Sequence, residues 1–221
     1  MHFLSRITLL TLAVVLFGAV ADAQTGIDLL GKARREFLEG KNDRALTTID
    51  EAEKRGLTSG KLTALRGFIF LEQGKFDDAT KAFEAAQKED KLTYGSLHVG
   101  DTLARQGKWD EARTTYQAAL KGTDILVTNE RLRFAIFITY LGSKDEEHAK
   151  QALDDIMFPT ESAAYYYAQA AWSFAHGAKR DGEEWVKRAH DIFGGSSSTS
   201  WFERHLYDFG WLKGKPPPIS D

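Results

Sequence analysis

The sequence predicts an all-α fold, a solenoid of about five antiparallel helical hairpins followed by a closing helix, and three observations lead there. Glycine recurs at Gly40, Gly74, Gly107, Gly142 and Gly177, with spacings of 34, 33, 35 and 35 residues, and each closes one apolar segment and opens another. Small residues stand at fixed offsets around these glycines, where two helices must touch closely. No Pro/Gly/Ser-rich linker interrupts the series until Gly194. A constant period of this length marks helical hairpins that bury their apolar faces only by stacking on one another. The body implied is extended and curved, and it offers surface more readily than a closed pocket.

The chain opens with what reads as an export signal over residues 1–23. Arg6 supplies the positive start, Ile7 to Val20 is apolar, and Ala21-Asp22-Ala23 offers a small-residue cleavage point before Gln24. The run is shorter than the roughly 20 apolar residues a membrane span needs. The expected mature protein is therefore periplasmic or secreted, with membrane association only if this segment stays uncleaved. The sequence contains no cysteine, which removes a lipid-modified amino terminus of the bacterial lipoprotein type, disulfides and thiolate metal sites.

Residues 24–193 form the repeat domain. In the second repeat Gly67 lies seven residues before Gly74, and Ala79, Phe83 and Ala86 follow it at five, nine and twelve residues. The third repeats the pattern with Gly100, Gly107, Ala112, Tyr116 and Ala119, and the first keeps Ala33, Gly40, Ala45, Ile49 and Ala52. A glycine or alanine at Ala33, Gly67 and Gly100 lets paired helices approach, and Ile49, Phe83 and Tyr116 fill the adjoining space. In the fourth copy the small residue after Gly142 arrives two places late, as Ala149, which points to an insertion or a longer turn there. The fifth keeps Ala170, Gly177 and Ala189 but carries Gly182 where alanine is usual.

The strings Gly74–Ala86 (GKFDDATKAFEAA), Gly107–Ala119 (GKWDEARTTYQAA) and Gly40–Ala52 (GKNDRALTTIDEA) resemble the second half of tetratricopeptide repeats. The resemblance implies two antiparallel helices per repeat, a right-handed superhelix, and an inner groove lined mainly by first helices that binds peptides or proteins. The early tryptophan of the family is replaced here by Leu29, Thr63 and Ser96, and only the fourth repeat has the closing proline, Pro159. Mapped through that resemblance, the inner wall should include Arg34, Phe68, Tyr94, His98, Asp101, Arg105, Arg133, Tyr140 and Tyr167. Family members that clamp a carboxyl terminus use lysine, asparagine and arginine where this chain has Leu30, Arg34, Leu65, Tyr94 and His98, so no such clamp is expected.

Residues 194–213 read as a linker, Gly194 to Ser198, and a closing helix capped by Thr199 or Ser200. That helix would set Trp201, Phe202, Leu206 and Phe209 against the end of the stack. The proline-rich segment 214–221, with Pro216, Pro217 and Pro218, cannot continue a helix and should be extended and mobile.

The net charge of -3, from 29 basic and 32 acidic side chains, carries no basic excess or stripe, so nucleic acid is not an expected ligand. None of the six histidines has a partner at metal-ligand spacing, and His148 in its acidic setting reads as solvated, so neither metal nor cofactor is expected. Ser196 to Ser198 follow two glycines, but no lysine stands where a phosphate loop needs one. No nucleophile elbow or dinucleotide fingerprint occurs. Tyr165-Tyr166-Tyr167 with Trp172 and Phe174 are the densest aromatic run, and at least one of the three tyrosines should reach solvent or the groove. The expected function is a non-enzymatic adaptor in the bacterial envelope that binds a peptide or protein. The alternative is a self-associating envelope component that uses Trp201, Phe202 and Trp211 as its contact surface.

Overall fold

The computed structural model describes residues 27–90, 94–194 and 197–217. The expected export signal lies outside them, as do Gly195, Ser196 and the last four residues. Among the described residues there are eleven helices and no strand. They are α1 (27–38), α2 (Asn42–Lys54), α3 (Gly60–Glu72), α4 (Phe76–Asp90), α5 (Tyr94–Arg105), α6 (Trp109–Lys121), α7 (Leu126–Ser143), α8 (Glu146–Asp154), α9 (Ala164–Ala175), α10 (Lys179–Phe193) and α11 (Ser197–Asp208). Helices α1 to α10 pair in sequence into five hairpins that stack in chain order, a helical solenoid.

One turn closes every hairpin. At Gly40, Gly74, Gly107 and Gly177 the backbone takes φ between 70 and 77°, a left-handed conformation that costs glycine little. The next amide then reaches back to the helix: Lys41 to the Glu36 carbonyl at 2.8 Å, Lys75 to Phe70 at 2.9 Å, Lys108 to Leu103 at 3.0 Å and Ala178 to Ser173 at 2.9 Å. These bonds satisfy carbonyls that the end of a helix leaves unpaired.

Gly142 is the exception and corrects the sequence reading. It lies inside α7, which runs on to Ser143, and Lys144 takes the left-handed conformation at φ 60°, followed by the Asp145 amide bonding to the Tyr140 carbonyl at 3.0 Å. Counted from Lys144, Ala149 stands five residues on, as Ala45 does from Gly40, so the late small residue reflects a lengthened first helix. A Cβ at Gly142 would lie 2.7 Å from the Trp109 ring. Glycine is needed there for close approach, not for a turn.

Close approach also explains the small residues within the stack. A Cβ at Gly67 would meet the Phe83 ring at 2.7 Å, one at Gly100 the Tyr116 ring at 2.2 Å, and one at Gly182 the Phe174 ring at 2.8 Å. Phe83, Tyr116, Ile49, Ala45, Ala52, Ala79, Ala86, Ala112 and Ala119 are all buried, with Phe83 and Tyr116 against the glycine of the facing helix. The two helices of the second, third and fifth hairpins are thereby locked together.

The closing helix forms as α11, but its first turn already includes Ser197, so Thr199 and Ser200 lie within it, buried, and neither is the cap. It touches the last hairpin and also extends back along the first helices of earlier ones. The segment after it does not swing free through Pro217: Pro216 and Pro217 are half-buried, and Lys215 and Pro216 lie beside Phe37, Leu38, Gly40 and Asn42 at the turn between α1 and α2.

In an exposed helix interior Gly→Ala stabilises by roughly 0.5–1 kcal/mol. Here the sign should reverse: Gly142→Ala and Gly100→Ala should each destabilise by about 1–3 kcal/mol through overpacking. Urea unfolding of each variant checks this, and a midpoint at or above that of the parent would contradict the interlock.

Candidate functional site

The first helices α3, α5, α7 and α9 share a concave wall, and α11 is seated against it. The sequence of α11 dictates one broad apolar stripe, because Trp201, Phe202, His205, Leu206 and Phe209 fall at i, i+1, i+4, i+5 and i+8. Trp201, Phe202 and Leu206 are at most 2% exposed. Phe202 meets Phe134 of α7 edge-on at 5.1 Å and stacks on Tyr167 of α9 at 5.7 Å, while Trp201 and His205 meet Phe134 at 5.9 and 5.4 Å. Beyond the helix, Trp211 stacks on Phe174 at 6.1 Å, and Phe209 lies 5.8 Å from Trp109. Burying side chains of this kind is worth about 1.5–3 kcal/mol each.

Polar contacts fix where α11 sits along the wall. Asp101 of α5 is buried, and its carboxylate accepts the Tyr116 hydroxyl at 2.7 Å and the Trp201 indole N–H at 3.0 Å. His98 Nδ1 lies 3.3 Å away on the same carboxylate, and His205 Nε2 stands at 3.8 Å, an ion-pair distance rather than a hydrogen bond. Burial alone would raise the Asp101 pKa, but the contacts with His205 and His98 outweigh it and hold the carboxyl well below its usual range. Burial, reinforced by the Asp101 charge, pushes the Tyr116 hydroxyl up. A carboxylate engaged this fully and removed from water acts as a tether, not as a general base.

A second set of charges runs past it. Arg105 donates to Asp208 through Nε at 3.2 Å and Nη2 at 3.0 Å, Arg204 Nη2 pairs with Glu72 at 2.7 Å, and Arg204 Nε lies 3.5 Å from Asp208. The signs alternate around Glu72, Arg204, Asp208 and Arg105, joining α3, α5 and α11. A cleft of about 570 Å³ remains between this end of α11 and the wall, bordered by Phe76, Trp109, Ile138 and Phe209.

The residues expected on the inner wall divide. Asp101, Arg105 and Tyr167 face α11. His98 and Phe68 are buried within the wall, where His98 packs on Phe68 and Phe83 at ring distances of 4.6 and 5.1 Å and bridges the second and third hairpins. Arg133 and Tyr140 are displaced from the groove: they border a separate cleft of about 230 Å³ with residues of α6 and α8, including Gln117, His148 and Gln151. Tyr140 there stacks on His148 at 5.4 Å and lies under the Arg113 guanidinium at 3.9 Å. Arg34 is exposed on α1, and the Tyr94 side chain lies outside what is described. Of the three adjacent tyrosines, Tyr167 is fully buried, its hydroxyl 3.1 Å from His190 Nε2, whereas Tyr165 and Tyr166 are half-buried against Trp185.

Sequence reasoning missed Glu72, Trp201, Arg204 and Asp208 as parts of this site. A signal existed in α11, where Arg204 and Asp208 are four residues apart beside the aromatic stripe. Among the described residues no group of three or more His, Cys, Asp or Glu side chains could hold a metal ion, and no helix is long and apolar enough to cross a membrane.

Comparison with known proteins agrees with this architecture. The family model described as tetratricopeptide repeat matches residues 30–91 and 65–124. A solved structure from a functional characterization of PilF of Pseudomonas aeruginosa superposes with a TM-score of 0.59 at 14% identity, covering 86% of each chain, a likeness of fold. No curated protein matches the sequence.

The lowered Asp101 pKa sets a pH dependence. The stabilisation from its ionised form is fully present above the unfolded carboxyl value, about 3.9. It is lost as pH falls through the lower folded value. The parent should lose stability steeply below about pH 4, and Asp101→Asn should flatten that limb while being less stable at pH 7. Denaturation midpoints across the acid range check this, and an unchanged acid limb in Asp101→Asn would contradict the assignment.

Proposed function

This chain is a tetratricopeptide-repeat protein, and from that premise we propose that it is a non-enzymatic adaptor of the bacterial envelope that recognises a protein partner on the concave face of its helical stack. Tetratricopeptide folds serve in general as protein-interaction scaffolds. The observation that carries the reading here is that the concave wall already receives a helix, α11, through aromatic stacking and a register of alternating charges. A surface that seats a helix by side-chain contacts has the chemistry for protein recognition.

Location in the envelope rests on the leader-like residues 1–23, with their positive start, apolar run and small-residue site. The non-enzymatic reading is supported by the chemistry of the interface: the buried acid Asp101 is engaged by donors, and Arg105 and Arg204 are held by Asp208 and Glu72. The self-associating alternative has less support, because Trp201 and Phe202 are spent inside the molecule instead of forming an outer contact surface.

The mature chain, used as bait on solubilised envelope proteins, should retain a defined protein partner and sediment as a monomer at every concentration tested. Concentration-dependent self-association with no partner retained would contradict the adaptor.

A further inference from the structure

The interface between α11 and the wall has two unlike sides. On the apolar side Trp201, Phe202 and Leu206 are buried, and Phe202 packs on Phe134 and Tyr167. On the charged side Arg204 is buried as well, but the groups around it are looser: Arg105, Glu72 and Asp208 keep 19%, 26% and 30% of their side-chain surface in solvent, and the 570 Å³ cleft opens beside them. Partly exposed ion pairs are salt-sensitive, and they select by sign.

Resting on the adaptor reading, we propose that α11 is an exchangeable occupant of the concave face, and that the partner presents an amphipathic helix of the same chemistry. That helix carries two adjacent aromatics, an arginine three residues after the first of them and an acid four residues later, as Trp201, Phe202, Arg204 and Asp208 do. The wall is complementary to that set: Asp101 accepts the indole N–H, Glu72 takes the arginine and Arg105 takes the acid. The open cleft lets an incoming helix engage Glu72 and Arg105 before α11 has left.

The test uses the full chain and a fluorescent synthetic peptide of residues 197–217, followed by anisotropy. Arg204→Gln with Asp208→Asn weakens the resident helix and leaves the wall intact. The peptide should bind this variant at least tenfold more tightly than the parent, and adding Arg105→Glu should abolish binding. No binding, or equal binding of a scrambled peptide, would overturn the exchange. A dimer formed by swapping α11 would overturn the choice of a partner protein over a second copy. Should the variant not fold, hydrogen exchange on the parent decides: α11 amides should exchange at least tenfold faster than those of α9 and faster still in high salt, and equal protection refutes the proposal. Capture of an envelope protein without peptide binding would sink the exchange but keep the adaptor, and peptide binding without any captured partner would do the reverse.

Discussion

The buried carboxylate of Asp101 is the point where the repeat stack and the carboxyl-terminal helix become one structure. Gly100, immediately before it, has no Cβ, so Tyr116 lies against α5 and its hydroxyl reaches Asp101 from α6. The second oxygen of that carboxylate then takes the indole N–H of Trp201, a residue 100 positions away. A buried charge is tolerated only when it is paired and hydrogen-bonded. Here the donors that come from other helices, Tyr116 and Trp201, also specify where those helices must lie. Removing one partner leaves a group whose desolvation is no longer compensated, so the site enforces a single seating of α11.

From that point the rest of the arrangement follows by geometry. Once Trp201 is placed, helical spacing carries Phe202 onto Tyr167 and brings Arg204 and Asp208 to Glu72 and Arg105. The aromatic contacts supply the affinity of α11 for the wall. The alternating charges set its register, since a shift by one turn would set like charges together. A concave face that in this fold offers itself to a partner is in this molecule covered by its own chain, and the loosest part of that cover is the charged end.

The repeat grammar was legible because its cause is local. Turn glycines and small–large pairs follow from backbone conformation and from contact between neighbouring helices, both visible at short range. The reading failed at Gly142 for an instructive reason: a glycine that admits an indole ring and one that ends a helix look the same in a sequence, and Lys144 took the turn without the usual residue. The stripe on α11 announced burial but not against what, because its partners lie in helices 30 to 130 residues distant. Offsets from the glycines do not distinguish the face of α7 toward the groove from the face toward α6 and α8. Arg133 and Tyr140 lie toward α6 and α8, while Asp101, Arg105 and Tyr167 face α11.

Asp101 and Trp201 act as one unit. A double-mutant cycle with Asp101→Asn and Trp201→Phe in the full chain measures it directly by equilibrium unfolding. The expected coupling free energy is about 0.5–3 kcal/mol, the range for residues in contact. Additivity within about 0.3–0.5 kcal/mol, as for independent sites, would contradict it.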